Sequence, residues 1–179
     1  MVNFGNIPVY ALRFMVIYFI VTNAIAMALF PGGTLFHPEL EIYSFSENFF
    51  SDLGITFTKD GTQNYLSSFL FNSSLLVLGL CAVTHIFVPK LFKENKKSYI
   101  LSIIAAILFV IAGLSFIGVG LTPADIYFEE HVWFVIFAFN AQTIGVLFMT
   151  IAFLLSKVSN KYTIVAVSYT HLTLPTTPV

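Results

Sequence analysis

Charge is what this sequence has least of: 9% of its 179 residues are Asp, Glu, Lys or Arg, where a soluble domain carries about 25%. That scarcity excludes a soluble enzyme, a nucleic-acid binder and a disordered chain. Eight basic and nine acidic residues leave a net charge of -1, so no polyanionic partner is implied. Cysteine is nearly absent too. Cys81 stands alone in an apolar run, cannot make an intramolecular disulfide, and reads as a small core residue. No two histidines show close metal-ligand spacing and there is no HExxH. Gly118-Val-Gly120 lacks the strand and helix setting of a dinucleotide or phosphate loop.

What is present is apolar bulk: 58% hydrophobic residues with 21 Phe and a mean hydropathy of +0.89. Crossing a bilayer takes roughly 20 apolar residues, and four runs are long enough: Ala11–Phe30, Tyr65–Phe87, Tyr99–Leu121 and Val132–Leu155. The first has no cleavage site and exceeds a signal core, so it reads as a retained helix. The fold expected is all-α, a polytopic transmembrane helical bundle over 1–166, with four complete spans, a truncated fifth at 162–166 and one long loop at 31–64.

Lys and Arg orient the bundle. Arg13, Lys90, Lys93, Lys96, Lys97, Lys157 and Lys161 fall on one side and only Lys59 on the other. The N-terminus is therefore expected in the cytoplasm of a cell that carries this multi-pass protein in its plasma membrane, with the 31–64 loop outside. Eight of the nine acids (all but Glu94) join Lys59 on the outer side, so the small net charge hides a strong dipole.

The run starting at Tyr162 collapses after Val167 into Ser168-Tyr-Thr-His-Leu-Thr-Leu-Pro-Thr-Thr-Pro178. A half-span would leave backbone groups unpaired in lipid. Residues 167–179 resemble the in-frame translation of a sequencing-library adapter and are set aside from fold reasoning, His171 with them. The expectation is that the native chain continues through a fifth span.

In the long loop, Ser44-Phe-Ser-Glu47 fits a capping box, followed by a helix with Phe45, Phe49 and Leu53 on one side and Gly54 as its stop. At about 1.5 Å per residue, Asn23, Asn72, Ser115 and Asn140 each lie about 10–12 Å below the outer ends of their spans. They are expected to turn inward as one polar layer, either a register-fixing network or the floor of a ligand cavity. In the third span Ala106, Gly113 and Gly120, flanked by Ala105 and Ala112, form a small-residue contact stripe.

Above that layer the topology gathers His37, Asp52, Asp125, Glu129, Glu130 and His131 on the outer rim. Asp52, Asp125 and His131 are the candidate catalytic residues, and His37, Asp52 and His131 the candidate zinc ligands, since mixed His and carboxylate donors can hold zinc with an open position. Ordinary solvated acids, or carboxylates bonding turn amides in Ser51-Asp-Leu-Gly54 and Thr122-Pro-Ala-Asp125, would look the same. His85 reads as a packed or interfacial His.

Ser51-Asp-Leu-Gly54, then Leu70-Phe-Asn72 and Gly79, then Gly118-Val-Gly-Leu-Thr-Pro123 with Asp125 and His131 resemble the membrane family catalogued as domain of unknown function 998, over about Phe49 to Phe153. More remotely the chain is similar to the DRAM autophagy-modulator membrane proteins, which share the SD-x-G element. The resemblance implies a compact bundle of about six helices in a prokaryotic membrane and supplies no mechanism. The function expected is binding of a membrane lipid, a small hydrophobic ligand or a membrane-protein partner. The alternative is a metal-assisted lipid hydrolase with an outward-facing site, and a small transporter is weaker, for want of an inverted repeat or a mid-span charge.

Overall fold

The computed structural model describes residues 7–33 and 37–157; the expected fifth span at 162–166 and the tail at 167–179 lie outside them. Among these residues four helical spans are long and apolar enough to cross a membrane: α1 (Ile7–Leu29), α2 (Tyr65–Val83) with its continuation to Phe92, α3 (Lys96–Leu121) and α4 (Phe128–Leu154). There is no strand among the described residues, only a bridge between Phe57 and Gln63.

The helix ends differ from the apolar runs for local reasons. Asn95 accepts from the amides of Lys97 and Ser98, an N-cap that starts α3 three residues before its apolar run. Glu129 and Glu130 occupy the first turn of α4, where carboxylates suit the helix dipole. At its far end α2 gives way to a 3₁₀ stretch, Thr84–Phe92, containing Pro89. Proline has no amide hydrogen and clashes with the carbonyl four residues back, so an α-helix cannot run through it undisturbed. The Thr84 hydroxyl and the His85 imidazole bond the carbonyls of Cys81 and Ala82 just before.

The expected helix from Ser44 does not form. Residues 45–47 are a turn, and among the described residues of the loop the only helical piece is a 3₁₀ turn at Phe50–Gly54. Glu47 reaches His37, 3.4 Å away, instead of the Ser44 amide, which donates to Asn48 Oδ1. The Ser44 hydroxyl meets Ser46 Oγ at 3.1 Å, so both halves of the capping box are diverted.

α3 is the central helix, packed extensively on α4 along one side and α2 along the other, while α1 packs on α2. α1 and α4 meet at most marginally, so the four helices follow one another instead of closing a ring. The approach of α2 to α3 requires glycine. A Cβ on Gly79 would lie 2.3 Å from the Gly113 carbonyl oxygen, and one on Gly113 2.6 Å from the Cβ of Ala82. Gly120 sits against the Asn72 carbonyl in the same seam. The small-residue stripe therefore divides, with its glycines facing α2 while Ala105 packs with Met149 and Ala152 of α4. A second apolar core, nearer the 31–64 loop, brings α1, α2, α3, α4 and the Phe50–Gly54 turn together through Ala26, Leu53, Phe71, Phe116 and Ala138.

Candidate functional site

The bundle has a loop end, which carries residues 31–64, and a lysine end, which carries Lys90, Lys93, Lys96 and Lys97. At the loop end, Ser51-Asp-Leu-Gly54 descends into the bundle. Leu53 and Gly54 are buried, and their carbonyls need partners that lipid cannot supply. α2 provides them. Asn64 Nδ2 donates to the carbonyls of Leu53 (3.1 Å) and Ile55 (2.9 Å). The Ser67 hydroxyl also reaches Leu53, and Ser68 Oγ and Asn72 Nδ2 donate to Gly54 at 2.8 and 3.0 Å. Gly54 is glycine because a Cβ there would stand 2.6 Å from the Phe71 ring and 2.8 Å from Asn72 Oδ1. The motif is a roof stitched to α2.

Asp125 is a second stitch. Both its carboxylate oxygens accept from the Thr56 amide at 3.0 Å, and Oδ2 also takes Phe57 N–H at 3.0 Å. It ties the long loop to the α3–α4 connection. Asp52 accepts from Phe49 N–H (3.0 Å) and Asn48 Nδ2 (3.1 Å), and Asn48 also holds the Gly33 carbonyl. Burial pushes the Asp52 carboxyl above the usual range, against the pull of those two hydrogen bonds and of Lys59. Burial, and then the charge of Asp52, likewise raise Tyr43.

His131 is buried at the start of α4 and its Nδ1 lies 2.7 Å from the Thr122 carbonyl. A carbonyl only accepts, so Nδ1 donates and Nε2 is the remaining ring nitrogen. That Nε2 is buried without a hydrogen-bond partner. His37 is exposed, with Nδ1 3.0 Å from Glu39 and Nε2 facing Glu47. The structure does not join His37, Asp52 and His131, and no three His, Cys, Asp or Glu side chains converge on a metal position among the described residues. Asp52 and Asp125 hold backbone amides in separate turns.

The expected polar layer is four separate arrangements. Asn23 Nδ2 bonds Ser74 Oγ across α1 and α2 at 3.0 Å, as well as Phe19 O in its own helix. Asn72 serves the roof. Ser115 bonds back to Ile111 in its own helix. Asn140 is exposed and donates to Ile136 one turn earlier. Equal depth did not mean equal facing, because α4 turns Asn140 away from its neighbours. A tie that the depth count missed is Tyr18 OH to Ser73 Oγ, 3.2 Å, again between α1 and α2.

The concavity that all four helices share lies toward the other end. A cavity of about 250 Å³ is walled by Leu12 and Met15 of α1, Leu78 and Cys81 of α2, Phe116 of α3 and Val146 of α4, with His85 and Gln142 as polar exceptions. The His85 ring leans on Phe109, centroids 4.8 Å apart, with Nδ1 committed to the Ala82 carbonyl at 3.0 Å. Nε2 is then its acceptor. Neither Gln142 nor the cavity role of Cys81 was visible in the sequence, although helical periodicity sets Gln142 roughly opposite Asn140, so one of the two had to face inward. No family model, curated protein or solved structure matches the chain.

Proposed function

We propose that this chain is an integral membrane protein that binds a lipid chain or small hydrophobic molecule in the cavity between its four helices, with its lysine end toward the cytoplasm. The observation that carries the reading is that cavity: about 250 Å³, apolar apart from His85 and Gln142, and walled by every spanning helix. An engineered apolar cavity of about 150 Å³ takes benzene, so this space suits roughly ten heavy atoms: a segment of chain or a compact ring system. A hydroxyl on the ligand would find an acceptor at His85 Nε2. The resemblance to the domain of unknown function 998 family is compatible with this reading.

The test is to identify by mass spectrometry what co-purifies with the full chain, then to fill the space. Val146→Phe and Cys81→Phe should each reduce the bound hydrophobic molecule at least fivefold while thermal stability is kept. Retention of the same molecule by both folded variants would overturn the assignment.

The hydrolase alternative draws on His131. Donating one ring N–H to a backbone carbonyl and leaving the other nitrogen bare is how metal-bound histidines are commonly oriented. Stoichiometric zinc in purified protein, lost in His131→Ala and in Asp52→Ala, would support it; zinc content independent of both residues would remove it.

A further inference from the structure

At the lysine end a second concave surface, a groove of about 440 Å³, runs between the 3₁₀ stretch and α3, and it shares no lining residue with the central cavity. Ile103, Ile107 and Ile111 wall it along α3, and Lys90 and Lys93 stand at its mouth with Tyr99. The 3₁₀ geometry places the two cations together. With three residues per turn, positions three apart eclipse, and Lys93 continues the helical dihedrals (φ -62°, ψ -21°) of the stretch. Phe87, Lys90 and Lys93 thus share one edge, and Lys90 Nζ lies over the Phe87 ring, 5.2 Å from its centroid.

Neither lysine has a carboxylate partner among the described residues, where both ion pairs belong to His37. Glu94, the nearest acid in sequence, lines a different recess with Lys96 and Lys157. From Tyr99 to Ile111 the α3 wall is about 18 Å long, close to one leaflet of a bilayer whose apolar core is about 30 Å thick. A paired positive charge at the end of a one-leaflet apolar groove matches a molecule with an anionic head and an acyl chain.

We propose that this groove is a binding site for an anionic phospholipid of the surrounding bilayer, with its phosphate between Lys90 and Lys93 and one acyl chain along the Ile103–Ile111 face of α3. Basic pockets at the ends of spans recognise anionic headgroups in this way. Tyr99 lies at the level of the headgroup and glycerol, the depth that tyrosine favours. The site is independent of the central cavity, so either assignment can fail without the other.

The experiment uses the full chain reconstituted in dioleoylphosphatidylcholine bilayers with spin-labelled phosphatidylglycerol or spin-labelled phosphatidylcholine as probe. Wild type should immobilise phosphatidylglycerol about fivefold or more in preference, since each lysine near the surface favours an anionic lipid by about that factor. K90Q/K93Q should bring the preference below twofold, and K90R/K93R should retain it. K96Q/K97Q, which removes the same charge outside the groove, should leave it largely intact. Ile107→Trp should displace the chain and lower phosphatidylglycerol retention with an unchanged melting temperature. Equal loss in K96Q/K97Q and K90Q/K93Q would reduce the effect to diffuse surface charge and overturn the site. So would the absence of any preference in wild type, or full retention in a folded Ile107→Trp protein.

Discussion

The same four helices are finished in opposite ways at their two ends. At the loop end an irregular segment enters the bundle, and nearly every polar side chain nearby is engaged with its backbone: Asn64, Ser67, Ser68 and Asn72 on the roof carbonyls, Asp125 on two amides, Asn48 and Asp52 on the turn beside them. The space between helices is filled there by Leu53, Phe71 and Phe116. At the lysine end α2 relaxes into a 3₁₀ stretch, and the gaps are walled by mostly apolar side chains. In a chain with so few polar groups, those at the loop end satisfy buried backbone, and concave space is left where no irregular backbone has to be covered. Clustered acids mark the structural end, and apolar gaps mark the end with room for a ligand.

The comparison is broken most directly at Asn64. Asn64→Ala removes both donors to the Leu53 and Ile55 carbonyls and leaves Ile55 without that partner in a buried setting. At about 1–3 kcal/mol for an unsatisfied group, with Ser67 still covering Leu53, the expected loss is about 1–3 kcal/mol in a detergent-unfolding titration. A cost below about 0.5 kcal/mol would show that the roof is not held by α2. Asp125→Ala should cost less, about 1–2 kcal/mol, because water can reach part of this exposed site and replace the carboxylate. Its spectroscopic signature should be local: faster hydrogen exchange at the amides of Thr56 and Phe57, with the helices protected as before. Unchanged exchange at those two amides would remove Asp125 from its stitching role.

How much of this was legible beforehand follows from which signals are local. The four spans and the small-residue seam rest on composition and on neighbours within a few residues, and they could be read directly. The Ser44 capping box could not, because its Glu47 is captured by His37, ten residues upstream. Within the polar layer Asn23 and Ser115 are buried and Asn140 is exposed, for a geometric reason. Depth is the product of residue count and rise, but facing depends on how each helix is rotated against its neighbours, and these highly apolar spans offer little amphipathic pattern to report it. Asn64, Ser68 and Ser74 passed unnoticed because their partners are backbone carbonyls or, for Ser74, also an amide on another helix, which leave no pattern of residue types. Likewise the cavity exists only through the packing of all four helices, a tertiary property.

A subtler test concerns Asp52, whose carboxyl is raised chiefly by burial. The sign follows from proton binding. A carboxyl with a folded pKa above its unfolded one holds its proton more tightly when folded, so its stabilising contribution is complete below the unfolded value near 4. That contribution is lost as pH rises through the raised folded value. Asp52→Asn should flatten this part of the stability profile and be at least as stable as wild type above it, since the amide oxygen can still accept from Phe49 N–H. The effect should be smaller than that of Asp125→Ala, because partial solvent access screens the charge. Wild-type and Asp52→Asn curves of equal slope through mildly acid pH would show that Asp52 is not the group responsible.

The finest distinction comes from two asparagines at similar depth. Asn23 is buried and bonds Ser74 across the α1–α2 interface, whereas Asn140 is exposed and bonds only its own helix. Interhelical hydrogen bonds within membranes average about 0.6 kcal/mol. Asn23→Leu should therefore cost about that much, with some added strain from a branched side chain in a filled space. Asn140→Leu should change stability by less than about 0.5 kcal/mol, or raise it, because it takes an amide off a surface that meets lipid. Measured side by side in the same detergent titration, the pair isolates facing from residue type, since the substitution is identical and only its surroundings differ. A larger cost at Asn140 than at Asn23 would reverse the comparison and mean that the exposed face of α4 is covered in the membrane.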